Sequence, residues 1–147
     1  MNNLKIRKMG PFWMVGFLFF VAHSGFAQQK KLCEAENFHD RLLVDTAIQL
    51  IDVRTPIETA EGTISGAILL NWKDSIAFQL VVQKLDKRRP VYIYCKSGNR
   101  SSEAADYLTH LGIQEVVGLK GGIRAWEEKG YFIGEKVNRD NNGKGCH

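Results

Sequence analysis

Apolar positions along this chain fall into two rhythms, one that suits strands and one that suits helices. Gln49–Val53, Ala67–Leu70, Pro90–Cys95 and Val116–Leu119 are short apolar runs bounded by turn residues, and each reads as a strand. Glu34–Leu43 places Ala35, Phe38 and Leu42 at helical spacing. Pro56 suits the first turn of a helix over Ile57–Ala60, which Gly62 stops. Asp74 caps a helix reaching Leu85, with Ile76, Leu80, Val81 and Leu85 as its inward stripe. A further helix over Ser101–Leu111 turns Ala104, Ala105, Leu108 and Leu111 inward and ends at Gly112. The last runs from Gly122 to Lys129 and stops at Gly130. Residues 28–33 read as a linker, and 135–147, polar and rich in Gly and Asn, as a flexible tail.

The clearest strand is Val91-Tyr92-Ile93-Tyr94-Cys95, β-branched, aromatic and apolar on both faces, as a central strand should be. Strands alternating with helices predict an α/β domain, a central parallel sheet with helices on both faces. In such a sheet the chemistry lies beyond the carboxyl ends of the strands. That directs attention to the loop after Cys95.

The first 27 residues change the picture. Lys5, Arg7 and Lys8 form a positive region, Phe12–Ala22 is uncharged and apolar, and Gly25-Phe26-Ala27 offers small residues for a signal peptidase. The apolar run falls well short of the roughly 20 residues that span a bilayer, which favours a cleaved signal peptide over an anchor. The expected address is therefore exported, in the periplasm. Leu32 before Cys33 does not suit a lipid-attachment site. Setting aside the three signal cations lowers the net charge from +4 to +1, so the basic precursor gives no ground for a nucleic-acid or stable membrane partner. Three cysteines remain, Cys33, Cys95 and Cys146. An odd number leaves at least one outside any internal disulfide; Cys95 is expected as a thiol, and a Cys33–Cys146 bridge stays open.

The loop reads Cys95-Lys96-Ser97-Gly98-Asn99-Arg100-Ser101. A thiol between a buried strand and a helix faces successive backbone N–H groups and the positive end of the helix dipole. Lys96 and Arg100 add cations, so every local effect favours thiolate. Gly98 permits a tight loop, and Ser101 or Asn99 is available as the helix cap. The same cradle suits an anionic substrate. A cysteine ending a strand is also common as a small buried hydrophobe, and these residues alone leave both readings open.

Four blocks in order carry a family resemblance. Leu50-Ile51-Asp52-Val53-Arg54, then Glu58 with Gly62-Thr63-Ile64-Ser65-Gly66-Ala67, then Cys95–Ser101, then Gly121-Gly122-Ile123-Arg124-Ala125-Trp126 with Gly130 resemble the single-domain rhodaneses, the thiosulfate sulfurtransferases. The resemblance covers about residues 34–134. It implies a three-layer rhodanese-like domain in which Cys95 is catalytic and carries sulfur as a persulfide. Lys96, Ser97, Gly98, Asn99, Arg100 and Ser101 would bind a small anionic sulfur donor, and cyanide or a thiol would accept the sulfur. No metal or organic cofactor is implied. Asp52 and Arg54, ending the first predicted strand, are expected as a supporting ion pair that orders the loops.

Two positions depart from the family's pattern. Thr63 stands where histidine is frequent, and Tyr131-Phe132-Ile133 follows Gly130 where proline is frequent. They bear on substrate preference. The related phosphatases and arsenate reductases have a loop one residue longer, whereas Arg100 here follows Cys95 at the rhodanese spacing. The remaining alternatives are a sulfur carrier fed by a donor other than thiosulfate, with Cys146-His147 as a resolving end, and a protein-binding module of the same fold.

Overall fold

The computed structural model describes residues 29–134. The proposed signal peptide, the tail 135–147 and Cys146 lie outside the described residues, so the Cys33–Cys146 pairing is not addressed by them.

Five strands form one sheet: β1 (Gln29–Cys33), β2 (Gln49–Asp52), β3 (Ile68–Leu69), β4 (Val91–Tyr94) and β5 (Glu115–Leu119). Their order is β1-β5-β4-β2-β3, and every pairing is parallel. The helices are α1 (Ala35–Val44), α2 (Pro56–Ala60), α3 (Ser75–Val82), α4 (Asn99–His110) and α5 (Gly122–Glu128).

Alternation along the strands divides the core in two. In β4, Val91 and Ile93 face one side with Cys95, while Tyr92 and Tyr94 face the other. The first side is covered by Phe78 and Val82 of α3 and by Ala104, Ala105 and Leu108 of α4. The second is covered by Ala35 and Phe38 of α1 and by Ile123 and Trp126 of α5. This is the expected three-layer α/β domain, with β4 in the middle of the sheet. Chain connections leave β4 towards β5 on one hand and β2 towards β3 on the other. The loops after β2 and β4 therefore meet at a topological switch point, where such sheets open a crevice.

Two expectations need correction. Residues 28–33 are not a linker: from Gln29 to Cys33 the chain is edge strand β1, in register with Glu115–Leu119. Lys30 and Lys31 interrupt any apolar run there, and an edge strand tolerates, even favours, such lysines. The inward stripe of α3 is also different. Phe78 and Val82 are buried, and Val81 and Leu85 pack partly against the same core, but Ile76 is 73% and Leu80 60% exposed. A helix apolar nearly all round does not say by its period which face turns inward.

Candidate active site

Strand β4 ends with Tyr94, and Cys95 follows directly, 1% exposed and packed among Ile51, Val53 and Ala104. Gly98 then turns the chain at φ +102°, a conformation that glycine takes without Cβ strain, and itself serves as the N-cap of α4. Neither Asn99 nor Ser101 caps the helix. Ser101 is instead buried within the first turn, its one hydroxyl proton within reach of either the Gly98 carbonyl at 3.0 Å or Cys95 Sγ at 3.6 Å. The Gly98 N–H points at the same sulfur from 3.1 Å.

This geometry decides the thiol's acidity. Burial pushes the Cys95 pKa up, but backbone donors of Ser101, Ser97 and Gly98 and the Ser101 hydroxyl converge on the sulfur and outweigh it. The net result lies below the ordinary value of 9.0. Cys95 is therefore a thiol prepared to ionise in a ring of donors, at the N-terminal end of a twelve-residue helix.

The cations of the loop have different fates. Lys96, Ser97 and Asn99 are exposed at its rim. Arg100 is half-buried and pairs with Glu58, Nη1 and Nη2 each donating to a carboxylate oxygen at 2.7 Å, while it stays near enough to Cys95 for the thiolate to favour its cation. Glu58 sits on α2 through a capping box, accepting from the Thr55 N–H at 3.0 Å and from its hydroxyl at 2.9 Å. The Arg100 guanidinium, against the opposition of burial, holds the Glu58 carboxyl far below the usual carboxylate range.

Asp52 and Arg54 form a buried ion pair behind the loop, 0% and 4% exposed. Arg54 Nη2 reaches Asp52 Oδ2 at 2.7 Å and the Gly62 carbonyl at 2.6 Å, while Nη1 reaches the Glu58 carbonyl at 3.1 Å. Burial works against the Arg54 cation, but the Asp52 carboxylate more than offsets it. Its guanidinium also lies 5.8 Å from the Tyr94 ring centroid. Tyr94 in turn accepts the Ile64 N–H at 3.0 Å. One polar chain thus runs from the end of β2 through α2 to the Cys95 loop.

On the other side, α5 begins directly under the loop. The Ile123 N–H donates to the Cys95 carbonyl at 2.8 Å, and Gly122 adopts φ +65° against it. Trp126 is a packing anchor, edge-on to Phe38 and donating to the Phe132 carbonyl at 3.2 Å. Trp72 packs edge-on against Phe78 and donates to Glu103 Oε2 at 3.0 Å. Among the described residues no group of three or more His, Cys, Asp or Glu could hold a metal ion.

Sequence reasoning left Glu58 out of the site. Thr55-Pro56-Ile57-Glu58 has the pattern of a capping box, a signal that would order Glu58 at the helix start, but nothing in the spacing pairs it with Arg100, 42 residues on.

These features make a parallel α/β sheet whose central strand runs into a buried cysteine cupped by backbone donors at a helix start. Residues 34–129 match the Rhodanese-like domain family, and the chain belongs to it. It is 37% identical over 100 residues to a sulfurtransferase of Allochromatium vinosum, covering 68% of this chain and 91% of that protein. It is 34% identical over 82 residues to the thiosulfate sulfurtransferase GlpE of Shewanella oneidensis, covering 56% of this chain and 78% of that one. A tRNA uridine(34) hydroxylase of Acaryochloris marina is 36% identical over 93 residues, covering 61% of this chain but only 30% of that protein's length. Among solved structures, a rhodanese-like domain protein from Staphylococcus aureus superposes with a TM-score of 0.62 at 34% identity, covering 73% of this chain and 99% of that one.

Proposed function

We propose that this protein is a sulfurtransferase that carries sulfane sulfur as a persulfide on Cys95, with thiosulfate or a related anion as donor. The observation that carries the reading is the convergence of the Gly98 N–H, its neighbours and the Ser101 hydroxyl on a buried sulfur whose pKa is lowered. The thiolate attacks the outer sulfur of thiosulfate; a new S–S bond forms on Cys95, and the old S–S bond breaks with its electron pair leaving on sulfite. Donors arranged for a thiolate equally stabilise the terminal sulfur of the persulfide, which also carries negative charge. Cyanide or a thiolate then attacks that sulfur and regenerates Cys95. The likeness to sulfurtransferases, one of them named for thiosulfate, supports the same reading. Lys96, at the exposed rim, supplies the long-range attraction for a dianion.

The positive, apolar and small-residue segments of the first 27 residues support export to the periplasm. Thiocyanate formation from thiosulfate and cyanide, measured for the reduced mature protein beside Cys95→Ala, tests the activity. Turnover confined to the parent protein supports it; equal rates in both remove Cys95 from the chemistry.

A further inference from the structure

Arg100 is the cation that loop spacing assigns most directly to an anionic donor, yet it does not face the loop alone. Both terminal nitrogens lie 2.7 Å from the two Glu58 oxygens, an end-on bidentate pair with only about a fifth of either side chain exposed, 22% and 19%. Glu58 is itself held on both sides. Thr55 donates twice to its Oε2, and its backbone carbonyl accepts from Arg54, which is pinned to Asp52. Carboxylate and guanidinium are therefore fixed relative to each other and to the loop.

We propose that Glu58 is a positioning residue for the sulfur chemistry: it clamps Arg100 beside the Cys95 loop and offsets its charge, leaving the sulfur to be held by the backbone and Ser101. This rests on the sulfurtransferase reading and deepens it. Proximity supports the coupling, since the Cys95 thiolate is among the charges that favour the Arg100 cation. Other charged groups near the loop have partners or face solvent: Lys120, after β5, pairs with Glu34, and Lys30 of β1 donates to Ser102 and Asp106 of α4. Asp52 and Arg54, after β2, neutralise each other; Glu103 on α4 accepts from Trp72; Lys96 of the loop and Arg124 of α5 are exposed. Glu58 is thus the acidic group through which the field of Arg100 reaches the sulfur in reduced strength. The clamp sets how tightly a dianion binds and at what pH the thiol ionises.

The test is Glu58→Gln, which keeps the size and removes the charge, beside Glu58→Asp, which keeps the charge. The first readout is the pH midpoint of Cys95 alkylation by iodoacetamide; the second is thiosulfate KM and kcat taken separately. Glu58→Gln is expected to move the midpoint down and to lower KM by about threefold or more without raising kcat, because an unneutralised Arg100 favours both thiolate and dianion. Glu58→Asp should keep the midpoint near that of the parent. An unchanged or raised midpoint in folded Glu58→Gln overturns the proposal, as does the same shift in both variants. Should Glu58→Gln fail to fold, Arg100→Gln serves: it leaves the carboxylate uncompensated, so the midpoint must rise, and no rise is equally fatal. Alkylation needs no sulfur donor, so a shifted midpoint with no turnover in any variant sinks the sulfurtransferase reading and keeps the clamp.

Discussion

Gly122 and Cys95 touch backbone to backbone across the site. A Cβ built on Gly122 would lie 2.5 Å from the Cys95 carbonyl oxygen and 2.6 Å from the Lys96 carbonyl carbon, closer than real Cβ contacts come. Bare glycine here lets the Ile123 N–H close on that carbonyl at 2.8 Å, so the start of α5 becomes the floor of the cysteine loop. The same residue adopts φ +65°, which disfavours any side chain on its own account.

Gly122→Ala is accordingly expected to destabilise the domain by about 2–4 kcal/mol, from strain at positive φ together with overpacking. Urea unfolding measures this. Because the obstruction falls on the loop backbone, alkylation of Cys95 should also slow in the folded variant.

The pair Asp52–Arg54 stabilises the loops only while both members are present. Asp52→Asn leaves a guanidinium in a site where it is 4% exposed, and should cost about 3–5 kcal/mol in the same unfolding experiment. A loss below about 1 kcal/mol would mean that water reaches Arg54 and that the polar chain is less enclosed than its distances state.

Glu58 gives the acid side of the stability profile. Its folded-state pKa is depressed below the ordinary 4.5 by Arg100 and Thr55, so its contribution is present above that value and drains away as pH falls below it. Between pH 6 and pH 3 the urea midpoint of the parent protein should fall more steeply than that of Glu58→Gln. Parallel profiles would place the acid sensitivity elsewhere.

Much of this was legible in the sequence, for identifiable reasons. The run Val91–Cys95 could only be a doubly covered strand, and that put Cys95 at the carboxyl end of a parallel sheet. The loop's length and glycine announced a tight turn into a helix. What stayed hidden depends on contacts distant in the chain. Arg100 could not be seen to spend both terminal nitrogens on Glu58. Ser101 reads as a helix cap until Gly98 is found at φ +102°, occupying the cap position itself. Edge strand β1 has the composition of a linker because only its pairing with β5 makes it a strand. Helix α3 is apolar on too many sides for its period to select Phe78 and Val82 over Ile76 and Leu80.

Ser101 favours the thiolate through both its backbone N–H and its hydroxyl. Ser101→Ala removes the side-chain donor near Cys95 Sγ and leaves the backbone donors in place. The thiol pKa should rise, because one of the groups that favour the thiolate against burial is gone. Alkylation rates across pH read that midpoint directly, and an unmoved midpoint would assign the acidification to the backbone alone.

The most direct test of the central claim is intact-protein mass spectrometry of the reduced mature chain after brief exposure to thiosulfate. The account predicts a species heavier by one sulfur atom, mapped to Cys95, absent in Cys95→Ala and discharged by cyanide. A folded protein with a titratable Cys95 thiol that gains no sulfur from thiosulfate would contradict it.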